Sequence, residues 1–83
     1  MAKVVVYTTN YCPFCHMAEK MLRTKDVDFE RIDVANDLET RKWLVKVTGQ
    51  TTVPQIFIDE QSIGGFSDMQ ALDQQGKLDS LLG

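Results

Sequence analysis

Apolar residues arrive in short blocks separated by polar turns, and the spacing within each block predicts an element. Val4-Val5-Val6-Tyr7 is an unbroken β-branched and aromatic run, the pattern of a buried strand. Thr8 to Tyr11 turns polar, and Pro13 suits the first residue of a helix, where its missing N–H costs nothing. Phe14, Cys15, Ala18, Met21 and Leu22 follow at helical spacing, a stripe that fades near Lys25-Asp26. Val27 to Val34 predicts a second strand, with Phe29 and Ile32 set among charged residues. Asn36 and Glu39 make a capping-box-like pair for a second helix, with Leu38, Leu44 and Val45 as its buried face and Gly49 just past its end. Gln55-Ile56-Phe57-Ile58 predicts a third strand, Asp59-Glu60-Gln61 a turn, and Ser62-Ile63 a short fourth strand. Ser67 with Gln70 repeats the capping pattern and opens a helix carrying Met69 and Leu72, which Gly76 ends. Leu78, Leu81 and Leu82 make a final turn that packs back.

The order is βαβ, helix, β-hairpin, helix. The first unit predicts a right-handed parallel crossover and the hairpin an antiparallel pair. The expected fold class is therefore α/β, a four-stranded mixed sheet flanked by helices on both faces. With no linker, repeat or low-complexity segment, residues 1–83 read as one domain. A domain this small has a thin core, and such domains often add disulfides or a metal. The chain has two cysteines, Cys12 and Cys15, three positions apart. Joining them closes a tiny loop, which stabilises by only about 2 kcal/mol in the chain-entropy model. The pair is placed for chemistry, not for stapling.

Charge removes several function classes. The net charge is −3 and Lys and Arg form no block, so the basic footprint of a nucleic-acid binder is absent. No apolar run approaches the roughly 20 residues that span a bilayer. Met1-Ala2-Lys3 leads straight into the Val-rich run, without a signal-peptide layout. The expectation is a reducing, cytoplasmic setting, where paired cysteines are usually catalytic or metal-binding.

Cys-X-X-Cys directly after a strand, with Pro at the helix start, is a redox signature. Cys12 falls at the helix N-cap and Cys15 one turn inside, so the two sulfurs can meet on one edge. The amides of Phe14 and Cys15 have no helical partner and are expected to point at the Cys12 sulfur, where they and the helix dipole favour a thiolate. A zinc site needs four ligands, and the chain adds only His16, next to Cys15; no metal site is expected. His16 reads as a solvated helix residue, Tyr11 as a neighbour of the site, and Trp43 as a half-buried packing residue.

Tyr11-Cys12-Pro13-Phe14-Cys15 resembles the Cys-Pro-Tyr-Cys active site of the glutaredoxin family, with Phe for Tyr. Thr52-Val53-Pro54 resembles that family's Thr-Val-Pro loop, and Gly64-Gly65-Phe66-Ser67-Asp68 its Gly-Gly-X-Ser/Thr-Asp element, in the same order and spacing. The resemblance spans essentially the whole chain. It implies a thioredoxin-like fold and a glutathione-dependent thiol-disulfide oxidoreductase, acting on protein disulfides and protein–glutathione mixed disulfides. Cys12 would be the nucleophile and Cys15 the resolving thiol. Glutathione would be a co-substrate, not a tightly bound cofactor, and the protein a monomer.

The resemblance also implies a cis peptide before Pro54, beside the cysteines. The Val53 N–H and C=O are then free to pair with the extended tripeptide, and Thr52 and Phe14 flank it. Gly65, Phe66, Ser67 and Asp68 would receive the γ-glutamyl end, its carboxylate at the free helix amides and its ammonium at Asp68. Arg41 matches a family position that contacts the glycine end. Basic residues that often accompany it in the family are missing: Thr8-Thr9-Asn10 and Gln50-Thr51 stand there instead. Two other readings compete. A redoxin driven by thioredoxin reductase would not need the Ser67-Asp68 element, and a carrier holding an iron–sulfur cluster between two chains and two glutathiones would be disfavoured by a motif stiffened by Pro13.

Overall fold

The computed structural model describes residues 2–83. Its elements run β1 (Val4–Thr8), α1 (Pro13–Thr24), β2 (Glu30–Asp33), α2 (Leu38–Thr48), β3 (Gln55–Ile58), β4 (Gln61–Gly64), α3 (Phe66–Gln74) and α4 (Leu78–Leu82). The strands form one sheet in the order β2-β1-β3-β4. β2 lies parallel to β1, with Val5 opposite Glu30 and Thr8 opposite Asp33. β3 lies antiparallel to β1, with Val4 opposite Ile58 and Tyr7 opposite Gln55, and β4 returns antiparallel to β3 with an irregularity at Ile56/Phe57. This is the mixed four-stranded sheet that the order of elements predicts.

β1 is flanked by strands on both sides and covered on both faces, which is why its apolar run is unbroken. Alternation along the strand divides the run between two layers. Val4 and Val6, with Ile56 and Ile58 of β3, face a core completed by Ala18 and Leu22 of α1, Phe66 and Met69 of α3, and Leu78 of α4. On the other face Trp43 of α2 lies against Tyr7 and Phe57, ring centroids 5.7 and 5.8 Å apart. Trp43 is 43% exposed, more open than the half-buried packing residue expected, because only its contact with these two rings covers it. The last helix packs back, joined to α1 and α3 by Lys25 Nζ, which reaches Asp73 at 2.7 Å and Asp79 at 2.9 Å.

Local details depart from the sequence pattern. β2 is shorter than the expected 27–34 segment, because Val27 N donates back to the Leu22 carbonyl and belongs to the turn after α1. The cap of α2 is Asp37, not Asn36: its carboxylate accepts from Thr40 N at 3.1 Å and from Thr40 Oγ1 at 2.6 Å. Those two hydrogen bonds, the side-chain one foremost, hold the Asp37 carboxyl below the usual carboxylate range. Leu38 and Val45 are exposed, whereas Leu44 is buried. α2 touches the sheet through a narrow seam around Trp43 and Leu44, too narrow to take in the flanking apolar positions. Gly49 closes the helix as expected, at φ 74°.

Candidate functional site

The site gathers where β1 ends, from four short segments. The first is the turn from β1 into α1. Cys12 is the N-cap of α1 in extended conformation and Pro13 follows in the first turn. Cys15, one turn on, is fully buried, while Cys12 is half-buried; neither is in a disulfide. Phe14 between them is exposed and stacks on Phe66, ring centroids 6.4 Å apart. Tyr11 is more exposed still, at 76%.

The second segment is the loop before β3. The Val53–Pro54 peptide is cis, as the resemblance implies. It brings the Val53 carbonyl oxygen within 3.6 Å of Cys12 Sγ, and the thiol donates to it. This corrects the expected hydrogen bonds from the Phe14 and Cys15 amides, since the Cys12 side chain makes no cap bond. The sulfur is turned toward a carbonyl acceptor brought in by the loop, away from the helix amides, which are donors only.

The third segment is the entry to α3. Here Gly65, not Ser67, is the N-cap, and Asp68 Oδ2 accepts from Gly65 N at 3.0 Å. Ser67 therefore lies inside the first turn with its side chain exposed, and its predicted pairing with Gln70 is not made. The element starts earlier because an Asp three residues past a glycine closes the end from the helix side. Gly64 adopts φ 107°, and a Cβ there would run into the Asp68 carboxylate; a Cβ on Gly65 would meet the Pro54 oxygen at 3.5 Å. The glycines thus let α3 begin against the Pro54 loop. The fourth segment is α2, from which Arg41 lines a shallow depression with Gln50, Thr52 and Val53.

Most of the glutathione-site residues expected from the resemblance meet, with Cys12, in one connected arrangement; Ser67 makes no contact within it. Arg41, Thr52 and Val53 share a depression, Val53 touches Cys12, Pro54 neighbours Gly65, Gly65 is tied to Asp68, and Phe66 stacks on Phe14. Among the described residues no group of three or more His, Cys, Asp or Glu could hold a metal ion. Among the described residues no helix is long and apolar enough to cross a membrane.

Behind this surface lies a polar group that the sequence pattern did not single out. Glu19 of α1 is buried, with Oε2 accepting from Thr8 Oγ1 at 3.0 Å and Oε1 accepting from Arg31 Nε at 2.9 Å and from Arg23 at 3.4 Å. Arg31 also donates to Asn10 Oδ1, and His16 Nε2 lies 2.7 Å from the Asn10 carbonyl oxygen, which fixes the proton on that nitrogen. His16 is exposed, as predicted, but it fastens the turn that leads to Cys12. A signal was present: Glu19 falls between Ala18 and Leu22, a charged residue inside the apolar stripe. Burial pushes the Cys15 thiol up from its ordinary range, and proximity to Cys12 pushes it the same way; hydrogen bonds with Thr8 and Thr9 oppose both.

A family model described as glutaredoxin matches residues 4–63. The chain is 48% identical over 82 residues to glutaredoxin 3 of Escherichia coli (strain K12), covering 99% of each. Among solved structures, it superposes with TM-score 0.93 on a buckwheat glutaredoxin–glutathione complex, 27% identical, covering 98% of this chain and 76% of that one. It superposes with TM-score 0.91 on the dithiolic glutaredoxin of Trypanosoma brucei brucei, 40% identical, covering 98% of this chain and 87% of that one.

Proposed function

The chain belongs to the glutaredoxin family and is a thiol-disulfide oxidoreductase of thioredoxin-like fold, and on that premise we propose that its reductant is glutathione, with Cys12 as nucleophile and Cys15 as resolving thiol. The observation that carries the reading is the cleft itself. The half-exposed Cys12 sulfur faces the Val53 carbonyl on one side, and the Gly65–Asp68 helix entry stands beside the same loop.

A tripeptide whose cysteine sulfur lies at Cys12 would run extended along Val53, pairing with its backbone as an added strand. Its γ-glutamyl carboxylate would meet the open amides at the start of α3, and its ammonium the exposed Asp68 carboxylate, whose Oδ1 makes no hydrogen bond among the described residues. Arg41, beside Thr52, would take the glycine carboxylate, and Phe14 on Phe66 would shield the reacting sulfurs from water.

In the reaction, the Cys12 thiolate attacks the glutathionyl sulfur of a protein–glutathione mixed disulfide. The protein thiolate leaves and takes a proton, and a second glutathione thiolate releases oxidised glutathione and restores Cys12. On a protein disulfide, Cys12 forms the mixed disulfide and Cys15 displaces the product, leaving Cys12–Cys15 oxidised. We place this chemistry in the cytoplasm, where a free thiol pair persists, and assign it to a monomer.

A glutathione-coupled assay on a small mixed disulfide tests the reading. Wild type and Cys15→Ser turn over and Cys12→Ser does not. Turnover that requires thioredoxin reductase instead of glutathione would overturn the choice of reductant.

A further inference from the structure

α1 carries more apolar surface than its core contact uses. Ala18 and Leu22 supply the buried stripe. Beside it runs a second stripe, Phe14, Met17 and Met21, at positions i, i+3 and i+7. Phe14 and Met17 are exposed and Met21 is half-buried. Met17 and Met21, with Phe66 of α3, line an open groove of about 460 Å³ between α1 and α3.

The groove begins beside the reacting sulfur. Phe14, two residues past Cys12, stacks on Phe66, and Phe66 continues into the groove. At the far end stands Lys25, whose ammonium lies 2.7 Å from Asp73 and is already taken. Lys20 lines the groove too, exposed, and among the described residues no carboxylate lies within ion-pair distance of it. An uncommitted positive charge therefore stands at the rim of an apolar floor, in a chain of net charge −3.

The occupant follows from what must approach Cys12. A protein disulfide brings a stretch of chain to that sulfur, and the stretch has to lie on the surface that adjoins it. It carries no γ-glutamyl group, so the entry to α3 proposed for glutathione offers it no matching hold. Helix geometry puts Met17 about 7.5 Å and Met21 about 13.5 Å beyond Cys12 along α1. An extended segment rises about 3.3 Å per residue and turns alternate side chains to one face. With its cysteine aimed at Cys12, its second and fourth neighbours face the helix at about 7 and 13 Å, level with the two methionines. Methionine is unbranched and flexible, so one floor fits apolar side chains of differing shape.

We propose that this groove docks the disulfide-bearing segment of a protein substrate, taking apolar side chains two and four positions from the attacked cysteine on Met17, Met21 and Phe66, and an acidic side chain at Lys20. The proposal rests on the reading of Cys12 as the attacking sulfur and names the partner of that site. The Cys12 thiolate attacks one sulfur of the substrate disulfide; the Cys12–substrate bond forms, the bond between the substrate sulfurs breaks, and the departing thiolate takes up a proton. The groove holds the bonded segment while Cys15 gives up its proton and attacks the Cys12 sulfur, which releases that segment as a second thiolate to be protonated.

The test compares two substrates in the glutathione-coupled assay. One is the small mixed disulfide. The other is a peptide dimer joined through its cysteines, with Leu two and four places from the cysteine on either side and Glu at both ends. Met17→Ser lowers kcat/KM for the peptide about 3–10-fold. Lys20→Glu lowers it about 3-fold at low salt, and the loss fades as salt rises. Both variants, altered at exposed positions, leave the small substrate unchanged. Replacing the terminal Glu of the peptide by Lys reverses the Lys20→Glu effect, and replacing its Leu by Gly removes the Met17→Ser effect.

Equal losses on both substrates, or no loss on the peptide, overturn the proposal. So does a wild-type dimer in sedimentation that Met17→Ser dissolves, which assigns the groove to a second copy of this chain. If the wild-type protein leaves the small mixed disulfide unreduced, the reading of Cys12 itself fails, and the proposal with it.

Discussion

Cys12 and Val53, forty-one positions apart, meet across the cleft, with Sγ 3.6 Å from the carbonyl oxygen. The contact joins the end of β1 to the start of β3, strands that are neighbours in the sheet. The core that fixes their register therefore also fixes the opening in which a disulfide is attacked.

Burial of Cys15 makes stability depend on pH at the alkaline end. Its thiol ionises at higher pH in the folded chain than in the unfolded one. The folded state therefore holds a proton that the unfolded state has already lost, between the ordinary thiol value of about 8.5 and the higher folded one. The stabilisation is complete below that window and is lost as pH rises through it. Thermal melts of the reduced protein at pH 7 and pH 10 should show a larger alkaline drop in Tm for wild type than for Cys15→Ala.

The two glycines before α3 are not equivalent. Gly64→Ala places a methyl group at φ 107° and against the Asp68 carboxylate, a strain of about 1–3 kcal/mol. In a domain of this size that lowers Tm by roughly 5–20 °C. Gly65→Ala meets the Pro54 oxygen at ordinary contact distance and costs less. Calorimetry of the two variants reads the difference, and glutathione affinity should follow it, because displacing Asp68 opens the entry to α3.

Asp37 is the cap of α2, and its carboxyl is more acidic folded than unfolded. The charged form supports the fold above the ordinary carboxylate value of about 4, and the support is lost as pH falls through the lower folded value. Asp37→Ala should lower Tm at pH 7, Asp37→Asn should lower it less because the amide oxygen still caps, and the gap between wild type and Asp37→Asn should close in acid.

Core packing on the α1 side of the sheet should dominate stability. Leu22 is fully buried against both α3 and the sheet. Leu22→Ala removes three carbons and leaves a cavity, a loss of about 2–5 kcal/mol. Truncating Val45, exposed on α2, should leave the denaturant midpoint nearly unmoved.

Much of this was legible in the sequence because it depends on local chemistry. Val4–Tyr7 announces a central strand by its unbroken run, Pro13 marks the start of α1, and Gly49 the end of α2. The family's three short motifs name the residues that converge on the cleft. What escaped depends on contacts distant in the chain. Asn36 and Asp37 are both good caps, and the choice between them is made by where Thr40 falls. Leu38 and Val45 fit a buried face by spacing, but the breadth of contact under α2 is set by Trp43 lying on Tyr7 and Phe57. Glu19 breaks the apolar stripe of α1, yet only the fold reveals that Thr8, eleven residues earlier, and Arg31, twelve later, are there to receive it. The direction of the Cys12 thiol likewise depends on a carbonyl brought in from a loop far along the chain.

The division of labour between the two sulfurs can be read directly by mass spectrometry of protein treated with oxidised glutathione and digested without reduction. Wild type should yield the Cys12–Cys15 disulfide, Cys15→Ser a stable glutathionyl group on Cys12, and Cys12→Ser no adduct. A glutathionyl group found on Cys15, or rapid modification of the Cys12→Ser protein, would contradict the assignment of Cys12 as the attacking sulfur.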